Sequence, residues 1–147
     1  MYYVTPMKRV VLDTNILTAA LRSRSGASFA ILQLTAKRAI RPLVTTALFL
    51  EYEAVLKRPE HVAVHRFMPP EIDDLMAEMA ALAEAVDVHF RWRPQLSDPQ
   101  DELVLEAAVN GRADALVTHN IRDFEAVKDR FGLRVIRPSE LLEEIRK

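Results

Sequence analysis

Four acidic positions have the type and setting of metal-binding carboxylates: Asp13, Glu51, Asp101 and Asp123. Asp13 ends the apolar run Val10-Val11-Leu12 and is followed by a helix-like pattern from Thr14-Asn15. In an open parallel sheet, ligands gather outside the carboxyl ends of the strands, which is the edge Asp13 would occupy. Asp is also a preferred helix N-cap, and for Asp13 alone the two readings balance. Glu51 lies within Thr46-Ala47-Leu48-Phe49-Leu50-Glu51-Tyr52-Glu53-Ala54-Val55-Leu56. Residues three and four apart share a helix face, which aligns it with Ala47, Leu48, Ala54 and Val55 and turns Glu53 elsewhere. A carboxylate on such a stripe costs roughly several kcal/mol unless it is paired or coordinated; the structural alternative is a salt bridge to an arginine.

Asp98 and Asp101 open another helix in Ser97-Asp98-Pro99-Gln100-Asp101-Glu102. Capping explains Asp98 adequately, with Pro99 at the first helical position. Asp101 shares its face with Val104, Leu105 and Ala108, while Glu102 and Glu106 turn the other way, so Asp101 points toward the core side. Asp123 follows Thr118-His119-Asn120 just past a further strand, and helix capping with Asn120 as the cap is its alternative reading. The conjunction carries the inference. Carboxylates brought together repel by about 4 kcal/mol per close pair at an effective dielectric near 20. Protons or divalent cations relieve that. Oxygen-only ligands, with no cysteine and no clustered histidine, select hard ions such as Mg²⁺ or Mn²⁺. Such ions activate water and stabilise the leaving oxygen of a phosphodiester.

The elements that must position these acids alternate. Strands are expected at Val10–Leu12, Pro42–Thr45, Val86–Phe90, Ala115–Thr118 and Leu133–Ile136. Between them run helical patterns: one from Ile16, one from Ala27 to Leu34, and one ending at Lys57 before Arg58-Pro59. His61–Phe67 reads as a short helix, and a long amphipathic one follows Pro69-Pro70. Further helices are expected after Asp98-Pro99, over Asp123–Arg130, and after Pro138. Strands separated by helices imply parallel pairing with right-handed crossovers, hence a three-layer α/β/α sandwich around a central parallel sheet. The chain reads as one domain over residues 1–147, with residues 1–6 as an N-terminal extension and Met7 as an alternative start.

Composition narrows the function classes. With 147 residues, 50% hydrophobic and 28% charged, the chain can bury a core and is not of the disordered type. Three glycines leave no phosphate-binding loop of the dinucleotide or P-loop kind. The lack of cysteine excludes disulfides, thiolate metal sites and a cysteine nucleophile, and is compatible with a cytoplasmic protein. No stretch is apolar for long enough to span a membrane. A net charge of −1 gives no global attraction to nucleic acid, so a polyanion would be held by local basic groups or bound cations. Arg91-Trp92-Arg93 interleaves an aromatic with two cations and is a candidate RNA contact, with packing of Trp92 in a loop as the alternative. Arg22 and Arg24 are further candidates, equally readable as a solvated turn. His61 and His65 have metal-ligand spacing but no zincin glutamate between them, and read as surface or partly buried histidines. His119 reads as an exposed loop residue beside the acidic edge. Met76 and Met79 read as core.

Taken in order, Val11-Leu12-Asp13-Thr14-Asn15, Ser25-Gly26-Ala27-Ser28, Glu51-Tyr52 with Val55-Leu56-Lys57-Arg58-Pro59, Asp98-Pro99-Gln100-Asp101, and Val117-Thr118-His119-Asn120 through Asp123-Phe124 resemble the motifs of PIN-domain nucleases. The branch most similar is the VapC-like toxins of toxin–antitoxin systems. The resemblance spans nearly the whole chain. It implies a metal-dependent endoribonuclease with Asp13, Glu51, Asp101 and Asp123 as catalytic and metal-binding acids and Mg²⁺ or Mn²⁺ as cofactor. Asp98 would assist, and Thr14, Asn15, Thr118 and Asn120 would orient carboxylates or waters. It further implies an RNA substrate, a homodimer and a small cognate antitoxin. One departure stands out: some relatives carry an acid where this chain has Asn120, which moves the role to Asp123. An aspartyl-phosphate hydrolase using Asp13 would want a second Asp where Asn15 stands. A receiver domain would want a lysine near Thr118-His119-Asn120. A catalytically silent RNA-binding or protein-interaction module is the alternative from outside the enzymes.

Overall fold

The computed structural model describes residues 7–91 and 93–146. The extension expected over residues 1–6 and the Trp92 contact therefore lie outside the described residues. Five parallel strands form one sheet in the order β3-β2-β1-β4-β5: β1 (Lys8–Leu12), β2 (Ile40–Val44), β3 (Glu84–Ala85), β4 (Ala115–Val117) and β5 (Val135–Ile136). Val10, Val11 and Leu12 are fully buried, as expected of a central parallel strand covered on both faces. The two-residue side-chain period then divides the core. Val11, Leu43 and Leu116 face one layer, with α3 (Thr46–Leu56), α5 (Pro69–Leu82) and α6 (Pro99–Gly111). Val10, Leu12, Ala115 and Val117 face the other, with α2 (Ala27–Ala36) and α8 (Pro138–Arg146). The result is the three-layer sandwich the alternation implies. No helix among the described residues is long and apolar enough to cross a membrane.

The chain first builds outward from β1 through β2 to β3, then α6 carries it back across to β4 on the other side of β1. The strand order therefore reverses between β1 and β4, and the crevice beyond their carboxyl ends is the topological switch point. Register brings Leu12 opposite Val117, and the Asp13 amide donates to the Val117 carbonyl at 2.9 Å. Two helices project from this edge, α1 (Thr14–Arg22) directly after Asp13 and a 3₁₀ turn (Ile121–Phe124) after β4.

Helix starts follow the sequence signals closely. Thr45 Oγ1 accepts from the Leu48 amide at 3.1 Å to cap α3, and Asp98 Oδ1 accepts from the Gln100 amide at 2.8 Å to cap α6. Proline opens α4 (Pro59–His65), α5, α6 and α8, where its missing N–H costs nothing. Gly111 at the end of α6 sits where two side chains approach closely. A Cβ there would come within 3.0 Å of Leu43 Cδ1 and Val86 Cγ2.

Several expected boundaries move. The alternation over Val86–Phe90 predicts a strand, but β3 is Glu84–Ala85, and only the Val86 amide still pairs with the sheet, donating to Val44 O at 2.8 Å. Glu84 is held at the edge by Arg9, whose Nε and Nη2 donate to its two oxygens at 3.1 and 2.6 Å. Beyond Val86 a side chain replaces a partner strand: Asn110 Oδ1 accepts the amides of His89 and Phe90, and Asn110 Nδ2 donates to Phe90 O. The helix expected over Asp123–Arg130 is a 3₁₀ turn followed by α7 (Glu125–Lys128), and Asn120 makes no side-chain cap there. The short helix expected over His61–Phe67 is displaced to Pro59–His65. The last strand begins at Val135 rather than Leu133.

Candidate active site

Asp13 occupies the N-cap position of α1, yet its side chain makes no capping bond. It is buried, and its Oδ2 instead accepts the Thr118 hydroxyl at 2.7 Å. Thr118 is itself fully buried, and its Oγ1 accepts in turn from the Asn120 amide at 2.9 Å and from Asn15 Nδ2 at 3.4 Å. Asn15 Oδ1 completes the link across the crevice by accepting the His119 amide at 3.4 Å. On the other side of Asp13, the buried Tyr52 hydroxyl donates a short hydrogen bond to the Leu12 carbonyl. Loss of hydration pushes the Asp13 carboxyl above its ordinary range, the Thr118 hydroxyl and the nearby Thr14 and Asn15 amides pull it back, and Asp123 adds repulsion.

Asp13, Asp98, Asp101 and Asp123 line one cavity of about 210 Å³ together with Asn15 and Asn120. Thr14 also lines it. A second cavity of about 370 Å³, walled by Gln95–Asp98 and Arg122, shares Asp98, Asp101 and Asp123 with the first, so the acids lie along one continuous groove. Asp101 is pushed up to about 7, first by burial and then by the charges of Asp13, Asp98, Asp123 and Glu102. The aspartates thus oppose one another's ionisation across the groove. No three carboxylates or imidazoles among the described residues already converge on one ion position. The donor set is all oxygen and fits a hard divalent cation by chemistry, with Asp13, Asp101 and Asp123 as the groups that would hold it.

Glu51 does not line this cavity. It is half-buried rather than on a fully apolar stripe, because Ala47 and Ala54 on its face are exposed while Leu48 and Val55 are buried. Its Oε1 lies 3.7 Å from Arg58 Nη2 and is buried without a hydrogen bond. Arg58 does line the cavity, so Glu51 connects to the site through that arginine. Arg22 connects through His61, its Nη2 donating to Nδ1 at 2.9 Å. Arg24 and Arg91 are exposed and line neither cavity, and the Arg93 guanidinium is engaged by both oxygens of Glu106. His65 is buried and bonds to the Leu56 carbonyl at 3.0 Å. His119 is exposed, and its Nε2 meets Ser28 Oγ at 2.8 Å.

Sequence reasoning missed three contributors. Glu102 and Glu106 turn away from the Asp101 face as the periodicity requires, but both are buried under the loop before α6. Glu102 Oε1 accepts the amides of Gln95 and Leu96 at 2.5 and 2.7 Å, and so fixes the loop that walls the larger cavity. Arg58 is the third. Its available signal was position, since Arg58-Pro59 follows the helix carrying Glu51.

Compared with known families, residues 9–122 match the PIN domain. That stretch includes Asp13, Glu51, Asp98 and Asp101 and ends just before Asp123. Among solved structures, the chain is similar to "Crystal structure of VapBC2 from Rickettsia felis bound to a DNA fragment from their promoter", with a TM-score of 0.56 and 19% sequence identity, covering 88% of this chain and 98% of that chain. No curated protein matches. The match extends over most of the chain, and the fold agrees with it: this chain belongs to the PIN domain family.

Proposed function

We propose that the protein is a Mg²⁺- or Mn²⁺-dependent endoribonuclease, the VapC-like toxin of a toxin–antitoxin pair. The observation that carries the reading is the gathering of Asp13, Asp98, Asp101 and Asp123 on one cavity at the switch point of a parallel sheet, with Asp101 displaced to about 7. A divalent cation bound there supplies an activated water and countercharge for the leaving oxygen of a phosphodiester. Asp13, oriented by Thr118, would hold the cation, with Asp101 and Asp123 completing the set and Asp98 beside them. Thr14, Asn15 and Asn120 hold water and carboxylate positions at the rim. Glu51, the fourth acid of the resemblance, stands behind Arg58. Likeness in fold to a VapBC2 structure bound to promoter DNA supports a small antitoxin partner, and the family resemblance supports a homodimer. A silent RNA-binding module is the second reading, favoured by the lack of three converged metal ligands among the described residues.

The test is purified protein with a mixed RNA panel in Mn²⁺, Mg²⁺ or EDTA, beside Asp13→Asn. Cleavage that needs metal and disappears in the variant is expected. Cleavage that persists in Asp13→Asn refutes this site, and no cleavage with any metal leaves the silent module as the better account.

A further inference from the structure

The acidic cavity is also lined by a cation, Arg58, and by an imidazole, His61. Arg58 is the N-cap of α4, and its carbonyl accepts the amides of both His61 and Val62 at 3.0 Å, with Pro59 fixing the turn between. Both side chains therefore project from one rigid helix start. The Arg58 guanidinium makes no hydrogen bond among the described residues, and its contact with Glu51 at 3.7 Å is loose, so its donors are available to a ligand. His61 is set differently. An arginine can only donate, so the 2.9 Å contact from Arg22 Nη2 makes His61 Nδ1 the acceptor and leaves the ring proton on Nε2. Burial, together with the charges of Arg22 and Arg58, lowers the His61 pKa and favours that neutral, Nε2–H form. Arg58 and His61 share the lining of this cavity with Asp13, Asp98, Asp101 and Asp123. The cavity thus carries both signs in one lining.

We infer that Arg58 and His61 form a phosphate-holding wall, which takes the non-bridging oxygens of a single-stranded RNA phosphodiester while the aspartates keep the cation side. This rests on the nuclease reading of the same site and adds to it the groups that grip the substrate. Arg58 supplies the charge in a planar two-donor fork, suited to a phosphate's paired oxygens. His61 supplies one neutral donor, and Arg22 is a positioning residue that fixes its tautomer.

The experiment is fluorescence anisotropy of a short labelled single-stranded RNA with the whole protein in EDTA, across a KCl series. Each phosphate contact on single strands contributes about 0.7 to the slope of log affinity against log salt. Arg58→Gln is expected to lower that slope by about 0.7 and to weaken binding about tenfold at low salt. Arg58→Lys keeps the charge beside Glu51 and hence the slope, but loses the fork and binds several-fold more weakly. It carries the test if Arg58→Gln does not fold. His61→Gln weakens binding with the slope unchanged. Wild-type slope and affinity in Arg58→Gln, unchanged affinity in Arg58→Lys, or no RNA binding by the wild type overturns the wall. The two readings fail separately. Arg58-dependent binding without cleavage in any metal removes the nuclease and keeps the wall, whereas metal-dependent cleavage with an unchanged Arg58→Gln slope does the reverse.

Discussion

Replacing Asp101 with asparagine should make the metal-free protein more stable and, on the proposed nuclease reading, abolish cleavage. Asp101 ionises at about 7 in the folded chain, raised mainly by burial and then by Asp13, Asp98, Asp123 and Glu102. In the unfolded chain it ionises near ~3.9. Below both values the group is protonated in either state and contributes nothing. As pH rises from about 4, the unfolded state releases its proton while the folded state still holds one, so stability falls. Above about 7 the loss is complete. A rise from 3.8 to about 7 corresponds to a ceiling of roughly 4 kcal/mol. Asp101 is only partly buried and water screens its neighbours, which brings the expected figure to about 1–2 kcal/mol. For a chain of this size that is about 3–8 °C in Tm. The assay is thermal denaturation of wild type and Asp101→Asn in EDTA over a pH series. The curves should coincide in acid and separate progressively up to neutrality, with the variant higher. Added Mn²⁺ should raise the wild type and close the gap. An Asp101→Asn Tm at or below wild type above neutral pH, or a gap that persists unchanged in acid, would refute the claim that burial and neighbouring charge hold the Asp101 proton.

Two further changes test the supports of the site. Thr118→Val keeps the shape of a fully buried side chain but removes the hydroxyl that holds Asp13 Oδ2 at 2.7 Å and accepts the Asn120 amide. A hydrogen bond to a charged group contributes about 1.5–3 kcal/mol, so Tm should fall by several degrees, together with Mn²⁺ affinity measured by calorimetry. Glu102→Ala removes the acceptor of the Leu96 amide, and hydrogen exchange at Leu96 should accelerate about tenfold or more, while exchange in β1 is unchanged.

Legibility followed the range of the interaction. Asp13 was readable because the run before it is apolar on both faces, and only a central parallel strand uses such a run. Asp98-Pro99 was readable because capping is local, and the Gln100 amide does bond to Asp98. Glu51 was harder. Periodicity gave its face on α3, but its neighbour there is Arg58 at the start of α4, and it is Arg58 rather than Glu51 that lines the cavity. Periodicity turned Glu102 and Glu106 away from the Asp101 face, but their burial depends on the loop from Arg93 to Leu96 that folds over them. The strand expected at Val86–Phe90 was lost to Asn110, a single side chain that satisfies two amides the alternation had assigned to a sheet. Local signals, then, placed the acids at one edge; the long-range contacts decided which of them face the groove.

Those long-range contacts also explain why the charge at this edge has so little freedom to relax. Asp13 follows a strand buried on both faces, its own amide is tied to Val117, and the preceding carbonyl is tied to Tyr52. Its carboxylate is then tied to Thr118, which is anchored in β4's end by the pairing of its amide with Ile136 O at 3.0 Å. A carboxylate on a mobile loop would answer repulsion by moving into water, at a cost of little more than side-chain entropy. Asp13 has no such route, and Asp101 at the start of α6, raised first by its own burial, also carries the repulsion of Asp13, Asp98 and Asp123. Relief must come as a proton on Asp101 or a cation among the aspartates. The rigidity of β1 therefore turns an ordinary cluster of acids into one whose charge state answers to what enters the groove.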